Sequence, residues 1–170
     1  MANQTVYNED MPIGFAGMKS NSRKDDHVRS CYNAEPSAEI PFGVVVVQSG
    51  TSDSQAVKLP SAATDIVAGV ALHAHSYTPG IGIGTVGIKP KQDVNCLAEG
   101  EVLMTVEETV AVGDRPFVRY AGTGQKGALR KTAVANETVQ LFGFMILTPA
   151  TAGQLARVRV SANTVRSNQA

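Results

Sequence analysis

From Pro41 onward the chain is a series of short apolar runs cut by turn residues, and few folds accommodate that pattern. The runs are "FGVVVVQ" (42–48), "QAVKL" (55–59), "IVAGVAL" (66–72), "EVLMTVE" (101–107), "RPFVRY" (115–120), "GALRKT" (127–132), "LFGFMIL" (141–147) and "LARVRV" (155–160), with Ser, Gly, Asp and Pro between them. In the last run Ala156, Val158 and Val160 share one face and Arg157 and Arg159 the other, the period of a half-buried strand. No helical run of ten or more residues and no internal repeat interrupts the series. Short strands at this spacing predict an all-β domain, a sandwich or closed barrel of short antiparallel strands.

The punctuation agrees. Gly113-Asp114 closes one strand and Pro116 sits at the start of the next, where a missing N–H is tolerated. "AGTGQKG" (121–127) reads as a hairpin tip, and residues 76–92, with four glycines, read as a long exposed loop. Residues 1–38 are polar and aperiodic, with four basic and four acidic side chains in the first 30, and read as an extended N-terminal arm that orders on contact. The expected organisation is therefore the arm at 1–38, a β domain at 39–162 and a short polar tail at 163–170. Deleting residues 1–30 is expected to leave that domain folded.

At 170 residues the chain can bury a core without disulfides or metals. Valine, alanine, glycine and threonine dominate, tryptophan is absent and aromatics are 5%, which favours strands and tight turns. Net charge is zero, so no global field argues for nucleic acid or an anionic membrane. The zero conceals an asymmetry: residues 1–111 carry 7 basic and 13 acidic side chains, residues 112–170 carry 8 and 2, net −6 against +6. Either strands of the two halves interleave and neutralise each other, or the molecule presents two surfaces of opposite sign. The N-terminus lacks the basic-then-apolar order of a secretion signal, and no apolar run approaches the roughly 18 residues of a membrane span, so production in a cytosol is expected. Cys31 and Cys96 show neither metal spacing nor a disulfide framework and read as small buried hydrophobes.

Chemical motifs are few. Gly82-x-Gly84-x-x-Gly87 has dinucleotide-fingerprint spacing but leads into Thr85, Val86, Ile88 and Pro90, where no phosphate-binding helix can start. His73 and His75 share one face of a strand and would begin a metal site of cupin type, yet no carboxylate follows closely and His27 lies upstream in the arm. The other reading is two exposed strand-end histidines. Glu107 and Glu108, adjacent in a strand, are expected on opposite faces and so cannot form an acid–base dyad. Lys89, Lys91, Lys126, Arg130 and Lys131 could form a basic patch, but no aromatics interleave with them for stacking on nucleic acid. No catalytic residue, cofactor site or metal site is assigned, and the chain reads as a non-enzyme.

Several segments, in order, resemble the cement or decoration proteins of tailed-phage capsids: "GFAGMKSNS" (14–22), "EIPFGVVVV" (39–47), "AVKLPSAATDIVAGVALHAHS" (56–76), "EGEVLMTVEETVAVGDRPFVRY" (99–120) and the final "LARVRV". The resemblance implies a jelly-roll-like β domain on the outer surface of the capsid, made in the host bacterial cytoplasm. Its partners would be the major capsid protein and further copies of itself, as dimer or trimer, with no nucleic acid and no membrane. Within the arm, Phe15, Met18, Arg23, Lys24 and Arg29 are the candidates for the capsid contact. The alternative for Phe15 and Met18 is that they fold back onto their own β domain. Rival functions are another virion β module, of tail or baseplate, and a cupin-like metal enzyme using His73 and His75.

Overall fold

The computed structural model describes residues 14–21, 26–50, 52–74 and 87–161. Ten strands and no helix form among them: β1 (His27–Asn33), β2 (Val45–Gln48), β3 (Ala56–Lys58), β4 (Val67–Ala71), β5 (Asp93–Thr105), β6 (Phe117–Arg119), β7 (Leu129–Arg130), β8 (Thr138–Gln140), β9 (Phe144–Ile146) and β10 (Leu155–Ser161). The all-β expectation holds, and of sandwich and barrel it is the barrel that forms. Strands β1, β3, β2, β4 and β5 pair in that order and β5 returns to β1, closing a ring of five. All these pairs are antiparallel except β1–β3, which is parallel, with Tyr32 opposite Ala56 and Asn33 opposite Val57.

β5 is 13 residues long because it serves two sheets. Its first half completes the barrel; its second half pairs with β10, which pairs in turn with β9. The hand-over is a β-bulge: His27 lies opposite Glu99 and Val28 opposite Leu97, leaving Ala98 unopposed. An extra residue re-aims the side chains beyond it. Before the bulge, Val94 and Cys96 point into the barrel; after it, Val102 and Met104 point into a second core.

The two cores share walls. Val44 and Val46 of the β2 region, Val57, Ala68, Ala71, Cys31, Cys96, Ile40 and Ile88 fill the barrel. Val45 and Val47, with Val67, Val70 and Leu97, face outward into the second core, which Phe144, Ile146, Ala156 and Val158 cover from β9 and β10. This explains why "FGVVVVQ" is apolar without alternation: a strand buried on both faces has no solvent side to mark with polar residues. A separate sheet in the order β7-β6-β8 lays Val118 and Leu129 on the same outer core.

Two expectations change. His27–Asn33 lies in the segment expected as an arm yet forms a barrel strand, with Cys31 and Asn33 inward and most of its neighbours exposed. That burial is too brief to leave a readable period. Asn33 accounts for itself locally: its Nδ2 donates to Ala38 O at 3.1 Å and Ile88 O at 2.8 Å, and its Oδ1 accepts from Glu35 N at 2.9 Å. The glycine-rich loop and its Gly82 and Gly84 lie outside the described residues, but its end is tied in: Ile88 exchanges both backbone hydrogen bonds with Ile40, at 2.8 and 2.9 Å.

Candidate functional site

The stretch 14–21 lies along the second half of β5, on the side opposite β10. Gly17 N donates to Leu103 O at 2.8 Å, Leu103 N to Met18 O at 2.9 Å and Ser20 N to Glu101 O at 3.1 Å. His73 N donates to Gly17 O at 3.0 Å, so one residue ties this strap to both β5 and the end of β4. Gly17 has φ 81°, and a Cβ there would come within 2.8 Å of His73 N and 2.9 Å of Gly43 N. Only glycine lets three backbones approach so closely in that conformation.

The strap is pinned by aromatic contact. The Phe15 ring lies 4.4 Å from the His73 imidazole, and Phe42 lies 4.7 Å from the same imidazole on the barrel side. Lys19 Nζ pairs with Asp26 at 2.8 Å, linking the strap to the start of β1. Phe15 and Met18, both half-buried, are thus brought together against their own domain. Arg29 stands on β1 and donates to Ser54 O at 3.1 Å in the β2–β3 turn. Arg23 and Lys24 lie outside the described residues, as does His75. His73 is a packing residue of this aromatic group, and among the described residues no three His, Cys, Asp or Glu side chains converge as metal ligands.

A second constellation, not foreseen as a unit, centres on Arg119. It is 6% exposed, and its guanidinium grips the Glu107 carboxylate through Nε at 2.9 and 3.0 Å and Nη2 at 2.8 Å while Nη1 reaches Glu137. The Glu107 contacts, and then Glu137, hold the Arg119 guanidinium further above its usual range, so it stays charged at any working pH. Arg130 joins from β7, with Nη1 3.6 Å from Glu107 and Nε 3.4 Å from Glu108. Glu107 and Glu108 therefore reach a common partner instead of opposite faces, because they lie in a bend after β5 where strand alternation no longer applies. Burial works against the Glu108 charge, but hydrogen bonds from Thr132 and the charge of Arg130 hold its carboxyl below the usual range.

These pairs settle the charge asymmetry in favour of interleaving. Arg119 and Arg130 meet Glu107 and Glu108, and Arg157 and Arg159 of β10 lie 3.8 and 3.7 Å from Glu101 of β5, basic second half against acidic first half. The arginine inside "RPFVRY" was the available signal: a charge in a buried strand demands a carboxylate, and the surplus of carboxylates lay upstream.

A sequence model of the structural cement protein family (E217 gp24/Pam3 gp6) matches residues 3–161. The chain belongs to this family of phage structural proteins. Among solved structures, the capsid of Myoviridae phage XM1 contains a chain with a TM-score of 0.69 at 19% identity, covering 94% of this chain and 97% of that one. The head fibre gp8.5 N base of bacteriophage phi29 aligns with a TM-score of 0.41 at 13% identity, over 85% of this chain and 98% of that one. No curated protein matches the sequence.

Proposed function

We propose that this virion protein is a capsid cement: it binds the outer surface of the assembled shell and bridges neighbouring major capsid protein subunits, acting by binding alone. The observation that carries this reading is the family match across 3–161 on an all-β domain. A ligand that binds only the assembled lattice stabilises it by mass action. A dimer or trimer that reaches several subunits at once gains further by avidity. The strap and the start of β1, with Phe15, Met18, Arg23, Lys24 and Arg29, form part of the capsid contact in this proposal. Phe15 and Met18 set the strap's position by packing on their own domain, and the cations supply charge to the partner.

The test is stoichiometry and loss. Quantitative mass spectrometry of purified particles is expected to give hundreds of copies per particle, and particles lacking the protein are expected to lose DNA at lower temperature. A few copies or tens per particle, with unchanged heat resistance, would overturn the cement reading and favour a tail fitting.

A further inference from the structure

Cys31 and Cys96, dismissed above as separate small hydrophobes, meet inside the barrel. They are 5% and 0% exposed and belong to the same core. In the β1–β5 register Cys31 lies opposite Val94 and Arg29 opposite Cys96. The two cysteines are therefore diagonal neighbours on one face of the β1–β5 pair, and both point into the same core. Both thiols are free and buried, and each is close enough to shift the other's titration. We propose that Cys31 and Cys96 are a redox site that closes to an intrachain disulfide under peroxide, locking the β1–β5 seam that completes the barrel.

The surroundings divide the roles. The hydrogen bond from Cys96 brings the Cys31 thiol down to about 7 against the opposing effect of burial, with Arg29 assisting. Donating that bond, together with burial, pushes Cys96 up. Cys31 is thus the attacking thiolate and Cys96 the resolving thiol. The Cys31 sulfur attacks one oxygen of hydrogen peroxide; the O–O bond breaks, leaving a sulfenic acid and hydroxide. The Cys96 sulfur then attacks the Cys31 sulfur; the S–O bond breaks, and the Cys96 proton leaves with that oxygen and the medium as water. Two thiols and one peroxide give one disulfide and two waters.

Its biological setting rests on the virion reading, since a particle outside its host leaves the reducing cytosol. The chemistry does not, and it is tested on the isolated full-length protein. Treatment with a modest excess of hydrogen peroxide is expected to remove both thiols titratable after denaturation. Peptide mapping without reductant is expected to link the Cys31 and Cys96 peptides, reversibly with added thiol. The rate should fall about tenfold per pH unit below 7, and the oxidised form should melt roughly 5–10 °C higher. Cys96→Ser, which keeps a hydrogen-bond donor beside Cys31 but cannot close the disulfide, should trap a Cys31 sulfenic acid, detectable with a dimedone-type probe. Persistence of both thiols, or sulfinic acids without a linked peptide, would overturn the redox site; a linked form with no rise in melting temperature would overturn the lock.

Discussion

In the barrel, every one of the five strands has a hydrogen-bonded neighbour on both sides, and side chains from all of them fill the interior. The β7-β6-β8 sheet is built differently: its strands span two, three and three residues, too short to hold each other by ladder bonds alone. Its inner face adds Val118 and Leu129 to the outer core, and its outer end is clasped by Arg119 between Glu107 and Glu137. Closure and apolar burial suffice for the first region; the second needs a directed, nearly buried charge pair. One chain thus joins a rigid body to an appended sheet whose stability depends on electrostatics.

The comparison is broken most forcefully at Gly69, with φ 152°, where a Cβ would come within 2.4 Å of Leu97 O on the neighbouring β5. Gly69→Val is expected to cost about 4 kcal/mol or more. Urea unfolding should show barrel and appended sheet lost in one transition. A folded variant with near-native stability would contradict the barrel geometry.

Arg119→Met strikes the other region. Removing one partner of a largely buried ion pair costs about 3–5 kcal/mol, and the partial exposure of both carboxylates brings the expectation here to about 2–3 kcal/mol. Hydrogen exchange should show β6 and β8 losing protection while β4 and β5 keep theirs. Uniform loss across the chain would mean the sheet is not a separate unit.

Acid sharpens the contrast without a mutation. Asp114 is held below its usual range by the hydrogen bond from Ala111 N and by Lys131, and Glu108 by Thr132 and Arg130. A carboxyl depressed in the folded state contributes stability fully above its unfolded value, about 3.9–4.3, and loses it as pH falls through that value toward the folded one. The urea midpoint is expected to be level from pH 7 to about 5 and to fall below about 4, with β6–β8 amides losing protection first. A midpoint that rises on acidification would reverse the sign and refute the pairing.

The smallest effect is expected at the strap. Phe15→Ala removes a half-buried ring from His73 and should cost about 1 kcal/mol, read as a modest shift of the urea midpoint. No shift at all would mean that the ring does not pin the strap.

Eight strands were legible because their apolar runs end in turn residues; "FGVVVVQ", "IVAGVAL" and "LARVRV" became β2, β4 and β10. β1 and the first half of β5 were not, since "HVRSCYN" shows only two inward residues and "DVNCLAEG" breaks its period at the bulge. β8, with all three residues half-buried, left no pattern either. For Phe15 and Met18 it is the fold-back alternative that the structure shows, on a surface that His73 and Phe42 create only after folding. The Cys31–Cys96 meeting was invisible for the same reason: 65 residues separate them until register sets them side by side. Register also corrects the expectation that deleting residues 1–30 leaves the domain folded. Removing residues 1–30 would take His27–Ser30 from β1 and the 14–21 strap from β5, and so open the barrel.

The account stands most directly on binding to the shell. Purified protein would be sedimented with capsids assembled without it, in unexpanded and in expanded form. The cement reading predicts saturable co-sedimentation at a fixed ratio to the major capsid protein with at least one of the two forms. Failure to sediment with either form, by protein shown to be folded, would contradict it.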